Sequence, residues 1–277
     1  MDRPILIGAV AYDPRVVPIW EAMRDYFRAA GSPIDYVLFS NYDRQVQALL
    51  DRQIDIAWNT NLAWVKAHRR TNGACRALAL RDVDANFTTV FVARTDSGVK
   101  SLPDVHGKRL ALGSADSAQA AILPVHFLRL AGVDAERFCS LLRFDLDVGK
   151  HGDTGTSELE VLRALRDDEA DVGAVGDATW ARLLTEGKVD PSRLRAFWTS
   201  PGYCHCNFTV LADFPDYVGK QWTDSLVAMR YDDPQWRPLM DLEGLKRWLR
   251  ADAETMKGYQ VLFDAAELQG LFEKWAT

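Results

Sequence analysis

Four cysteines in 277 residues, none in a CxxC pair, exclude a disulfide scaffold and a four-cysteine zinc module. No apolar run approaches the roughly 20 residues a membrane helix requires, so membrane insertion is not expected. Lys/Arg-rich runs and basic helix faces are also missing, and the net charge is −6, which argues against nucleic acid or an anionic membrane as partner. Gly-x-Ser-x-Gly, a Gly-x-x-x-x-Gly-Lys phosphate loop and His-Glu-x-x-His are all absent, so no complete catalytic motif is present. There is no fixed-period repeat and no low-complexity segment. The N-terminus runs from Met1 directly into a strand, with no basic n-region or apolar h-region. On that reading the chain is cytoplasmic as it stands, or periplasmic if a signal peptide was removed.

What is present is 48% hydrophobic and 26% charged, enough apolar material for one large or two ordinary domains. Strands and helices alternate. Ile5 to Val10, Ile34 to Phe39 and Ile54 to Trp58 are near-continuous apolar runs separated by helical patterns. This is a βαβαβ unit with a parallel sheet covered on both faces. Ligands of such sheets bind beyond the strand carboxyl ends, which places Tyr12, Asp13, Tyr42, Trp58, Asn59, Thr60 and Asn61 on the candidate edge. Two more strands, Ala77 to Leu80 and Thr88 to Ala93, precede a polar turn at Arg94 to Gly98.

A second α/β run begins at Lys108. Strand Arg109 to Leu112 ends in a small polar turn and opens a helix from Asp116, with Ala120, Leu123, Phe127 and Leu130 as its apolar stripe. Gly113 lets the chain turn, and Ser114, Asp116 or Ser117 can cap. The unpartnered first amides of that helix favour an anionic or strongly accepting group. A helix carrying Leu159, Leu162 and Leu165, with Ser157 and Glu160 as a capping box, then leads to strand Asp171 to Val175. The tail from Asp216 reads as mostly helical.

Ser101-Leu102-Pro103-Asp104-Val105-His106-Gly107-Lys108, Ser117 to Pro124 with Leu128 to Gly132, and Ala170-Asp171-Val172-Gly173-Ala174-Val175 occur here in an order that resembles the type 2 periplasmic binding protein fold. Within that fold the chain is similar to the phosphate/phosphite/phosphonate-binding family. The resemblance implies a two-lobed α/β protein with a mostly parallel sheet in each lobe and the ligand in a cleft between them. Lobe 1 would comprise residues 1–93 and 207–277, and lobe 2 residues 94–206. It further implies a solute-binding protein for a small polar or oxyanion-bearing ligand, with an ABC permease as partner, hinge closure, and no cofactor required for binding. Family members carry Ser-Thr-Ser at the helix start, where this chain has Ser117-Ala118-Gln119. They also carry a His-Asp pair, for which His151 and Asp153 in the Lys150 to Thr156 loop stand in.

Each candidate has a bland counterpart. Trp58, Asn59 and Asn61 can stack on and hydrogen-bond a ligand, or pack and cap. Asp177 is a ligand carboxylate or a helix cap. His151, with Asp153 and Thr154 nearby, can donate to an anion or act as a base. Cys204-His205-Cys206 supplies a thiol to the ligand, a metal site with His151, or buried small residues. These last groups define the alternative function: an enzyme on the same fold, a lyase or biosynthetic enzyme, with a divalent metal as its cofactor.

Overall fold

The computed structural model describes residues 3–150 and 156–275. Among them the strands are β1 (Ile5–Val10), β2 (Ile34–Phe39), β3 (Ile56–Asn59), β4 (Cys75–Arg81), β5 (Thr89–Arg94), β6 (Arg109–Leu112), β7 (Ser140–Arg143), β8 (Val172–Gly176), β9 (Leu194–Thr199), β10 (Asn207–Leu211) and β11 (Trp248–Arg250). The helices are α1 (Val16–Ala29), α2 (Tyr42–Leu50), α3 (Asn61–Arg70), α4 (Leu123–Leu130), α5 (Ala135–Phe138), α6 (Thr156–Arg166), α7 (Asp177–Thr185), α8 (Asp216–Val227), α9 (Arg237–Leu242), α10 (Gln260–Leu268) and α11 (Leu271–Trp275). The chain divides into two compact units: Met1–Asn86, Tyr203–Phe263 and Phe272–Thr277 form the first, and Phe87–Gly202 with Asp264–Leu271 the second.

The first unit is a six-stranded sheet in the order β11-β4-β10-β3-β1-β2. β1 pairs in parallel with β2 and β3, whereas β10 runs antiparallel to both β3 and β4. The strands bury both faces. Ile7 and Ala9 of β1 face Trp20, Met23 and Phe27 of α1, and Leu6 packs with Leu49 and Ile54 on the other side. The larger core is aromatic: Trp222 stacks on Phe27 at 5.4 Å, and Phe208 lies edge-on to it at 4.8 Å. The short strand β11 falls inside the tail read as mostly helical; three residues are too few to display a period of two, and pairing with the β4 edge creates it.

The second unit is a five-stranded sheet in the order β7-β6-β8-β5-β9. β6 pairs in parallel with β7 and β8, while β5 is antiparallel to β8 and β9. One cluster of its core is aliphatic, built from Val90, Val92, Val161, Leu162, Leu165 and Val175, and Phe91 and Phe127 are buried against Trp198. α6 lies so close to β8 that a Cβ on Gly173 would stand 2.5 Å from the Val161 side chain.

The helix after β6 departs from the sequence reading. Ser117 is its N-cap, and its first turn, Ala118–Ile122, is π-helical before α4 begins. Pro124 has no N–H, which leaves the Ala120 carbonyl without its usual helical donor. The Gly113 amide takes that carbonyl at 2.8 Å. The wider turn rotates the following residues, so Leu130, expected on the apolar stripe, is 69% exposed. Ser157 and Thr156 before it are both helical in α6, so Ser157 is not an N-cap, and Glu160 pairs with Arg163.

Candidate functional site

In the first unit the carboxyl ends of β1, β3 and β4 lie at one edge, where the antiparallel β10 begins. Along β10, Phe208 and Val210 enter the aromatic core, and Asn207 and Thr209 alternate with them. Asn59 ends β3 opposite Asn207 and donates to the Thr209 hydroxyl at 2.9 Å, while Gln45 donates to Asn59 at 2.8 Å. Thr209 donates to Asn207, Asn207 to the Tyr259 hydroxyl at 2.7 Å, and Tyr259 to the His205 carbonyl at 2.9 Å. The chain of contacts ends at Asp84, which accepts the His205 amide on its carbonyl and grips Arg81 with both carboxylate oxygens at 2.6 and 2.8 Å. Burial alone would raise the Asp84 pKa. The Arg81 charge and the hydrogen bonds from Arg81 and His205 outweigh it and hold the carboxyl at about 2.

The expected residues fall around this network. Asn59 is fully buried within it, and Thr60, not Asn59, caps α3. Asn61 is the first residue of α3; its side chain accepts from Leu62 and donates to the Cys204 carbonyl at 3.4 Å. Trp58 is 7% exposed, with Phe208 at 4.4 Å, Trp248 at 6.0 Å and the Arg81 guanidinium over its ring. Tyr12 is partly buried just after β1, and Tyr42 opens α2 as a buried residue. Cys204 is buried and donates to the Thr255 carbonyl at 3.0 Å; burial pushes its thiol up to about 12, so it is held protonated. His205 and Cys206 are also buried, with Nδ1 and Sγ 3.0 Å apart.

In the second unit the corresponding edge holds the turn after β6. Ser114 is buried and donates to Asp116 at 2.7 Å, and the Ser117 hydroxyl accepts the Ala120 amide at 3.3 Å. The Ala115 amide donates to the Asp145 carboxylate at 2.7 Å, and Asp116 accepts the Gly149 amide at 2.5 Å. The segment after β7 is thus clasped to this turn by two carboxylates, one from each side. Gln119 donates to the buried Glu158, which also receives the Gly176 amide at 2.7 Å. Asp177 is the first residue of α7 and accepts the adjacent Ala178 amide at 2.8 Å; the N-cap is Gly176, without a side-chain cap bond. His151, Asp153 and Thr154 lie outside the described residues.

Sequence reasoning passed over Gln45, Asp84, Asn207, Thr209, Tyr259, Asp145 and Glu158. The polar-apolar alternation of Asn207-Phe208-Thr209-Val210 was the available signal; the other members meet only through space.

A two-unit α/β chain, each unit presenting polar groups at the carboxyl edge of a mixed sheet, has the architecture of a substrate-binding protein. The family model described as "ABC transporter, phosphonate, periplasmic substrate-binding protein" matches residues 8–256, and the chain belongs to that family. It is 24% identical, over 82% of its length and 76% of the relative's, to the probable ABC transporter phosphite binding protein PhnD1 of Prochlorococcus marinus. The structure of PhnD1 in complex with methylphosphonate superposes with a TM-score of 0.72 at 20% identity, covering 96% of this chain and 98% of that one. A binding protein component of an ABC phosphonate transporter from Pseudomonas aeruginosa gives 0.64 at 17%, covering 99% and 98%. The Escherichia coli aliphatic sulphonate binding protein SsuA gives 0.64 at 14%, covering 98% and 94%.

The chain is therefore a solute-binding protein of the ABC-transporter type, whose partners are a small molecule and a permease. This does not favour the enzyme alternative. Asp84 and Cys206 address the same ring nitrogen of His205, so they do not form a nucleophile–base–orienter relay, which needs both nitrogens. Nor is the cytoplasmic reading supported, since the family is periplasmic. Among the described residues no helix is long and apolar enough to cross a membrane.

Proposed function

We propose that this chain captures a small oxyanion, of the phosphonate, phosphite or sulphonate class, for an ABC permease, and that the mature protein works in the periplasm. The observation that carries the ligand class is the Ser114–Ser117 turn of the second unit, where the buried Ser114 hydroxyl and the Ala115 amide each donate to a carboxylate and the buried Ser117 hydroxyl lies beside them. A turn that already holds anionic oxygens has the donors an oxyanion requires. The incoming oxyanion takes the place of Asp116 and Asp145 on these donors and adds the Ser117 hydroxyl, which is a donor as well as a cap. PhnD1, described as a phosphite binding protein and solved with methylphosphonate, and the sulphonate-binding SsuA support this class.

Because Gln119 is engaged by Glu158 and Ala118 has no hydroxyl, fewer side-chain donors remain than a Ser-Thr-Ser start would give. The preferred solute is accordingly one with fewer strongly accepting oxygens than phosphate, such as phosphite or a monoalkyl phosphonate. Thermal unfolding with phosphite, methylphosphonate, an alkanesulphonate and phosphate tests this. A ligand at 100 times its Kd stabilises the fold by about 2.7 kcal/mol. Stabilisation by at least one oxyanion, strongest for phosphite or methylphosphonate, is expected; no shift with any of the four would reject the class.

A further inference from the structure

Asn72-Gly73 is the one Asn-Gly pair in the sequence, and there is no Asp-Gly pair. It closes α3. Past Arg70 the Thr71 amide still reaches the Ala67 carbonyl at 3.0 Å, and then the chain reverses. The Asn72 amide donates to the Arg69 carbonyl at 3.2 Å, and the Gly73 amide to the His68 carbonyl at 2.8 Å. These two bonds, reaching back three and five residues, are the pair that ends a helix on a left-handed residue. Asn72 is that residue, at φ 51°, and Gly73 follows at φ 82°. Glycine and asparagine adopt such angles more readily than other residues, so the cap itself favours this dipeptide.

An asparagine followed by glycine carries a reaction of its own, because no side chain on the second residue shields its amide nitrogen. That nitrogen attacks the side-chain carbonyl carbon of the asparagine. The new carbon–nitrogen bond closes a five-membered succinimide, and the carboxamide nitrogen leaves as ammonia, taking the amide proton with it. Water then opens the ring at one carbonyl or the other, giving aspartate or isoaspartate with no change of oxidation state. Residues 72 to 74 are exposed, so water is at hand, and the Asn72 carboxamide makes no hydrogen bond among the described residues. The nucleophile is what the fold withholds. Its N–H is the five-residue bond to His68, and the Thr71 hydroxyl donates to the same carbonyl at 3.2 Å and to that of Ala67 at 2.9 Å. We propose that Asn72 is a modification site, converted through the succinimide to aspartate and isoaspartate, and that opening of the α3 cap gates the conversion. The rate in the folded protein is then the rate of the open chain multiplied by the fraction of time the cap is open. Isoaspartate adds a methylene to the main chain and no longer fits the cap. The change falls at the entrance to β4, which begins at Cys75 opposite Leu211 of β10.

The test is peptide mapping of the full chain during incubation in mildly alkaline buffer, natively folded and in guanidinium chloride above the unfolding transition. Mass spectrometry with electron-transfer fragmentation follows the products and separates isoaspartate from aspartate. Conversion at Asn72 is expected to run at least about 10-fold faster in the unfolded chain than in the native one, and ahead of every other asparagine in both. Thr71→Val, which takes the hydroxyl away from the cap but keeps a β-branched neighbour, is expected to raise the native rate about 2- to 5-fold and leave the unfolded rate unchanged. Equal rates in the native and unfolded chain, or a native rate that Thr71→Val does not raise, would overturn the gate. Another asparagine converting first, or none at position 72 in the unfolded chain, would overturn the site.

Discussion

The two units solve the same problem with different materials. The first buries tryptophan and phenylalanine against its sheet and threads a polar chain from Gln45 to Arg81 through the adjoining edge. The second packs an aliphatic cluster over Gly173 and places its polar contacts at the turn after β6 and in the buried Gln119–Glu158–Gly176 group. Large rings leave space that hydrogen-bonded side chains can fill. Close helix–strand packing leaves none, and its polar groups move to the ends of elements.

That contrast breaks most visibly at Trp222. Trp222→Ala removes a 1%-exposed ring stacked on Phe27 and is expected to cost about 3–5 kcal/mol, read as a fall in the denaturant midpoint. A cost below about 1 kcal/mol would show that the aromatic cluster is not the first unit's core. Asp84→Asn probes the polar half of the same unit by leaving Arg81 buried without its main counter-charge, a loss of about 3–5 kcal/mol.

The pH dependence has a definite sign. The Asp84 pKa is depressed in the folded state, so its contribution is fully present above about pH 4 and is lost as pH falls toward 2. An acid limb of unfolding in that window should flatten in Asp84→Asn. If the variant shows the same limb, other carboxylates govern it.

In the second unit the response is steric. Gly173→Ala drives a methyl against Val161 and Leu165 and is expected to cost about 1–3 kcal/mol, with the midpoint of chemical unfolding as the readout. No cost would mean that α6 can shift away from the sheet. The smallest effect concerns binding. Asp145→Asn weakens the internal acceptor on the Ala115 amide, so an oxyanion should bind about 2- to 10-fold more tightly, the worth of roughly one hydrogen bond. Weaker binding in Asp145→Asn would mean that the clasp organises the turn instead of competing for it.

Much of the scaffold was legible because it rests on local periodicity. β1, β2 and β6 begin and end where their apolar runs do, and the order of Ser101 to Lys108, Ser117 to Pro124 and Ala170 to Val175 pointed to the family. The π-helical turn was not legible, because it depends on one carbonyl released by Pro124 and taken by Gly113 across the turn. The edge chemistry was less legible still. Asn59 meets Thr209 across 150 positions, and Asp84 reads as a loop residue until Arg81 and His205 close on it. Trp58 was placed correctly at a strand end, but the sequence could not say that Phe208, Trp248 and Arg81 would surround its ring.

The measurement that reaches the solute-binding account most directly is a calorimetric titration of the wild type and Ser117→Ala with methylphosphonate and phosphite. The account predicts one site per chain in the wild type and affinity lowered about 10-fold or more when the Ser117 hydroxyl, a donor to a charged oxygen, is removed. Equal affinity in the two proteins, or no binding heat with either oxyanion at any temperature tried, would contradict it.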